Sequence, residues 1–160
     1  MRIMGIDPGL RCTGVAWGDL GNPELIQSYS VRVKPSSLQN RISNITASVI
    51  NQYLAGLAPD VVIIEKPQVY QGHLQKGDPN DLIDLAILVG QLMSSLSFVW
   101  LSTILLPTPA QWKGQIPKDI HHRRIRKQCP HLGSISKDAM DAAGLVLYGM
   151  EYYHANTKKR

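Results

Sequence analysis

Residues 2–6 (Arg-Ile-Met-Gly-Ile) form a short, mostly apolar run that stops at Asp7-Pro8-Gly9. Proline and glycine at that point mark a strand end. Thr13 to Trp17 reads as a second strand across a tight turn, and Leu25 to Val33, after the Gly21-Asn22-Pro23 turn, as a third. The three predict an antiparallel meander. From Ser37 to Leu57, the residues Leu38, Ile42, Ile45, Val49, Tyr53 and Leu57 recur at helical spacing, with Ser36 or Ser37 placed to cap the helix. Val61 to Ile64 is a continuous apolar run bounded by Asp60 and Glu65, the pattern of a strand covered on both faces. Lys66 to Asn80, with its glycines and prolines, reads as a loop. Leu82 to Phe98 predicts a helix apolar nearly all round, suited to the core or to a subunit contact. Thr103 to Leu106 predicts another strand and Pro107 to Pro117 an irregular loop. A basic helix follows from Lys118 to about Gln128, and a last helix from about Ser136 to Tyr153.

This order predicts an α/β fold: a mixed sheet, antiparallel meander plus parallel strands, with helices on both faces. One domain is expected over residues 1–155, with a charged tail at 156–160. With 44% hydrophobic and 18% charged residues the chain has enough apolar side chains for a core. The excess of 17 Lys+Arg over 12 Asp+Glu, a net charge of +5, favours a polyanion or a membrane surface without choosing between them. The start carries no secretory signal, and residues 82–99 are broken by Asp84, Gln91 and serines, so no membrane span is expected. Cys12 and Cys129 lie in no metal-binding or disulfide pattern, so both are read as reduced, in a cytoplasmic setting.

Acids stand where chemistry collects. Asp7 and Glu65 each end an apolar strand, at the carboxyl ends where open sheets place their sites. An unpaired buried carboxylate is costly and two neighbouring ones repel, and a hard divalent cation removes both problems. Asp138 and Asp141 are three apart in the first turns of the last helix, so they share one face near the positive end of its dipole. The small residues Ala139, Ala142, Ala143 and Gly144 would let that helix lie close to the sheet. Singly, each acid has a blander reading as a turn residue, an ion-pair partner or a helix-start acid. Together they predict a metal site, in which two ions about 3.5–4 Å apart would serve phosphodiester hydrolysis.

The stretches Ile3-Met4-Gly5-Ile6-Asp7-Pro8-Gly9-Leu10, Thr13-Gly14-Val15-Ala16, Val61-Val62-Ile63-Ile64-Glu65 and Asp138-Ala139-Met140-Asp141-Ala142-Ala143 resemble the RuvC-type Holliday-junction resolvases, of the ribonuclease-H-like superfamily. The resemblance spans Arg2 to about Tyr153. It implies a ribonuclease-H-like fold, Asp7, Glu65, Asp138 and Asp141 as metal ligands, Mg²⁺ as cofactor with Mn²⁺ as substitute, and a homodimer making symmetric nicks in branched DNA. It also implies a base-stacking aromatic after the second acid, for which Tyr70 is the nearest match, and lysines near the scissile phosphate, matched in type and place by Lys113 and Lys118. The Trp112-Lys113-Gly114 form is similar to a phage or mobile-element branch.

Cations flank the acids on both sides: Lys66, His73 and Lys76 after Glu65, then Lys113, Lys118, Arg123, Arg124, Arg126 and Lys127. Cations that hold the DNA backbone around acids that hold metal suit a nuclease, with Lys66, His73, Lys76, Arg123 and Arg124 as DNA contacts. Adjacent on a helix, His121 and His122 should point apart, giving backbone contact or solvent exposure. Two other functions remain open. Asp7 to Gly14 also fits the first phosphate loop of actin-like or Hsp70-like nucleotide-binding modules, although that class needs two such domains. A non-catalytic binder of branched DNA is the other.

Overall fold

A computed structural model describes residues 1–52, 58–69, 78–99 and 103–157. Strands β1 (Arg2–Asp7), β2 (Cys12–Asp19) and β3 (Gln27–Arg32) form the predicted meander, β3 being shorter than expected because Pro23–Leu25 coils into a 3-10 turn. β4 (Val61–Ile64) lies parallel to β1, and β5 (Thr103–Leu105) parallel to β4, giving a five-stranded sheet of order β3-β2-β1-β4-β5. The helices are α1 (Leu38–Gln52), α2 (Pro79–Val99), α3 (Pro109–Trp112), α4 (Lys118–Gln128) and α5 (Lys137–Thr157). Ser37 caps α1 by accepting from the Asn40 N–H at 3.3 Å. The expected extension of α1 through Tyr53 to Leu57 lies outside the described residues.

The pleat sorts side chains by parity. Ile3, Ala16, Val61 and Ile63 face α5 and the ends of α3 and α4, whereas Met4, Ile6, Val15, Val62 and Ile64 face α1 and α2. Ile3, Met4, Ile6, Ile63 and Ile64 are fully buried, each contributing about 1.5–3 kcal/mol from its side chain. The same parity turns Asp7, two residues beyond Gly5, and Glu65, two beyond Ile63, toward α5.

By length and composition alone α2 could cross a membrane, a test that the core helix of a soluble protein also passes. Its charges, Asp81 and Asp84, sit in the opening turns and leave the rest uncharged. Leu88, Val89, Leu92 and Leu96 pack into the core, while Ile83, Ile87 and Phe98 are exposed.

The start of α5, which carries two of the acids, is pinned to the sheet. Ser136 caps it by accepting from the Ala139 N–H at 3.1 Å, and its hydroxyl also bonds that of Ser30. On the same face of β3, Ser28 donates to the Ala139 carbonyl at 2.6 Å. Gly14 of β2 permits the approach, since a Cβ there would overlap the carbonyl oxygen of Asp138.

The segment 107–117, expected to be irregular, contains α3. Thr108 and Gln111 form a reciprocal capping box and Pro109 opens the turn. This short helix aims Trp112 inward and leaves Lys113 at its end.

Candidate metal and nucleic-acid site

Asp7 and Glu65 emerge side by side at the carboxyl ends of parallel strands. The Ile6↔Ile64 register continues one step, with the Glu65 N–H donating to the Ile6 carbonyl at 3.0 Å. The Lys66 N–H donates to the Pro107 carbonyl at 2.9 Å, tying the chain after β4 to the chain after β5. α5 then brings Asp141 against them.

Burial pushes the Asp7 carboxyl well above its ordinary range, and the charges of Glu65 and Asp141 push it further. Lys118 and Lys113 act the other way without prevailing. The ammoniums are seated on the neighbouring acids: Lys113 Nζ on Glu65 Oε2 at 3.2 Å, and Lys118 on Asp141 Oδ2. Burial alone would lower the Lys118 pKa, but its bond to Asp141 and the charges of Asp141, Asp7 and Asp138 leave it raised. One positive group thus feels three of the predicted acids together.

Asp138 lies apart from the tightest group. It lines a hollow with Arg11, Cys12 and Arg41, and raises the Cys12 thiol, whose burial is the larger cause. Asp141 is nearly sealed, at 2% side-chain exposure, so the two acids of the helix share a direction but not a depth. Among the described residues no three His, Cys, Asp or Glu side chains gather into a group ready to hold a metal, and Glu65 and Asp141 are each taken up by an ammonium. The donor set nevertheless fits a hard cation: all oxygen, contributed by separate elements, around a place where positive charge is favoured.

His121 and His122 correct the expectation of exposure or backbone contact. Both are buried, because they share the inward face of α4 with Ile125. His122 Nε2 meets Asp141 Oδ1 at 2.7 Å, and His121 packs edge-on to Trp112 with ring centroids 4.9 Å apart. Burial lowers the His121 pKa to about 4, so the ring is neutral at neutral pH. The Trp112 indole N–H donates to Glu65 Oε2 at 2.6 Å, and the Lys113 ammonium lies 4.7 Å from the Trp112 ring centroid. Neither Trp112 nor His122 was anticipated beside the acids.

Of the expected DNA contacts, Lys66, Arg123 and Arg124 are exposed. Arg123 joins Lys118, Arg126 and Lys137 around a hollow of ≈ 550 Å³ between α4 and the start of α5. Arg124 faces a different hollow, beside Trp112 and Glu151. Tyr70, His73 and Lys76 lie outside the described residues.

No family model matches the chain. The crossover junction endodeoxyribonuclease RuvC of Burkholderia multivorans is 28% identical over 152 residues, covering 92% of this chain and 82% of that relative. The solved structure of Thermus thermophilus RuvC aligns with a TM-score of 0.75 at 19% identity, covering 98% of each chain. The same protein in complex with a Holliday junction substrate gives 0.71 at 18% identity, again covering 98% of each. What the chain shares with these resolvases is the fold, here a mixed sheet of order β3-β2-β1-β4-β5. The chain is RuvC-like, in its sequence and in its fold.

Proposed function

We propose that this chain is a metal-dependent endonuclease that resolves four-way DNA junctions by symmetric phosphodiester hydrolysis. The observation that carries the reading is the pair of ammoniums seated on acids at one end of the sheet, Lys113 on Glu65 and Lys118 on Asp141, beside the buried Asp7 carboxyl. It accords with the RuvC relative, a crossover junction endodeoxyribonuclease, and with the junction-bound structure of a RuvC-like fold.

Asp7, Glu65, Asp141 and, from the lip, Asp138 would hold two Mg²⁺ ions, with Mn²⁺ as substitute. Bound there, the metal supplies Lewis-acid stabilisation of charge developing on the scissile phosphate. The chain's own part is to hold the carboxylates at one end of the sheet and aim them. Lys118, whose side chain is 49% exposed, and Lys113, at 22%, are seated on long flexible stems. Displaced from Asp141 and Glu65, their ammoniums would move onto phosphate oxygens at the same place. The Lys118, Arg123, Arg126 and Lys137 hollow would hold the adjoining backbone. Lys66, Arg124 and, in the same role, Tyr70, His73 and Lys76 complete the proposed DNA contacts.

Symmetric nicking requires two sites, so the active form would be a homodimer in the cytoplasm. The exposed Ile83 and Ile87 of α2 offer it an apolar face.

The test is a panel of four-way junction, flap, fork and linear duplex, incubated with Mg²⁺ at one fixed salt concentration, for the wild type and Asp7→Asn. Paired nicks in the junction that vanish in the variant support the proposal. Nucleotide hydrolysis without nicking would favour the phosphate-loop reading, and junction binding without cutting a non-catalytic binder.

A further inference from the structure

The side chains around Glu65 and Asp141 divide their oxygens unequally. On Asp141, His122 takes Oδ1 and Lys118 takes Oδ2. On Glu65, Trp112 and Lys113 both take Oε2. Removing the lysines would therefore leave Oδ2 of Asp141 open while His122 still grips Oδ1. Glu65 would be left with Trp112 on Oε2, and neither of these partners uses its Oε1.

The grips are short and shielded from water. The distances are 2.6 Å at Trp112 and 2.7 Å at His122, and the His122 and Asp141 side chains are 6% and 2% exposed. An indole N–H only donates, so the Trp112 bond has one polarity and always takes a Glu65 oxygen as its acceptor. Both grips come from one rigid piece of structure. Trp112 ends α3, His122 lies in the second turn of α4, and His121 packs between Trp112 and α5. Gly144 of α5 makes the seat, since a Cβ there would stand 2.7 Å from Trp112 Cζ3 and 2.9 Å from His121 Nε2.

The geometry points to Trp112 and His122 as positioning residues that fix one oxygen each of Glu65 and Asp141 so that the other is presented to a divalent cation. The inference rests on the metal-dependent reading above. It adds that metal affinity depends on side chains that never touch the metal. The lysines are temporary partners, and the indole and imidazole are permanent ones.

The experiment compares wild type, Trp112→Phe, His122→Gln and His122→Leu. Mn²⁺ binding is followed by electron paramagnetic resonance, and the half-saturating Mg²⁺ for junction nicking and the melting temperature in EDTA are measured alongside. Trp112→Phe keeps the ring in its seat and deletes the donor. Gln can offer its amide N–H near the place of Nε2, whereas Leu cannot. Trp112→Phe and His122→Leu are expected to weaken Mn²⁺ binding by about 10–100-fold and to raise the half-saturating Mg²⁺ in step. The rate at saturating Mg²⁺ should recover toward wild type, and His122→Gln should restore most of the affinity. A purely structural role would lower the melting temperature in Gln and Leu alike and leave the Mn²⁺ affinity of the folded fraction unchanged, which would overturn the inference. Wild-type protein that binds no Mn²⁺ would overturn the metal reading itself. Wild type and variants binding Mn²⁺ equally would overturn only the positioning roles.

Discussion

Replacing Gly144 by alanine probes how tightly the cation-bearing helices must be docked on α5. The added Cβ would stand 2.7 Å from Trp112 Cζ3, 2.9 Å from His121 Nε2 and 2.9 Å from Ile125 Cδ1. The histidine and isoleucine present the far ends of their side chains, which can turn. The indole cannot turn cheaply, because it is 7% exposed and its Nε1 is held to Glu65 at 2.6 Å. Restoring ordinary contact at 3.4 Å pushes the ring by about 0.7 Å in a core packed as densely as an organic crystal. A displacement of that size is enough to spoil a bond of 2.6 Å, whatever its direction, since it either stretches the bond toward the usual limit of about 3.2 Å or bends or compresses it. Overpacking of this kind costs about 1–3 kcal/mol, at roughly 2–4 °C of melting temperature per kcal/mol for a chain of this length. Misplacement by 1 Å near reacting groups costs about 100-fold, so junction nicking should slow on the order of tenfold. Calorimetry and single-turnover nicking of a synthetic junction measure the two effects. Gly144→Ala with wild-type melting and wild-type nicking would refute the claim that this close contact holds Trp112 and α4 in register with the acids.

Three other outcomes are expected. In metal-free protein Asp7→Asn should melt higher than wild type at neutral pH, because ionising the buried carboxyl opposes folding. The folded pKa is raised, so the gain should fade as pH falls toward and below the ordinary value of 3.8, where both states are protonated, and added Mg²⁺ should stabilise wild type but not the variant. Arg123→Ala or Lys137→Ala should weaken junction binding for all sequences and reduce the slope of log K against log salt by about 0.9 each, read by fluorescence anisotropy across a salt series; unchanged slopes would remove the α4–α5 hollow from the DNA path. Ile87→Lys on the exposed face of α2 should shift sedimentation toward monomer and abolish paired nicks, and a monomeric wild type would contradict the dimer.

The sheet was legible because its signals are local. Apolar runs closed by Asp7 and Glu65 declare strands and strand ends at once, and the pleat then fixes which face the acids take. The spacing of Asp138 and Asp141 gave a common direction, but not the difference in depth, which depends on how closely β2 and β3 approach the first turn of α5. That approach rests on Gly14, Ser28 and Ser30, whose partners lie more than a hundred residues away. α3 could have been found: Thr108 and Gln111 are spaced as a capping box, with Pro109 at the first helical position. The inward turn of His121 and His122 could not. α4 is polar almost throughout, and only Ile125 marks the side on which histidines would be covered. What satisfies His122 is a carboxylate contributed by another helix, a pairing that no periodicity encodes.

The central claim, that these carboxylates gather a divalent cation in the place the lysine ammoniums now hold, is tested most directly by anomalous diffraction from Mn²⁺-soaked crystals. The account predicts anomalous density between Asp7, Glu65 and Asp141, with Lys118 withdrawn from Asp141. The absence of such density at millimolar Mn²⁺, with Lys113 and Lys118 still on Glu65 and Asp141, would contradict it.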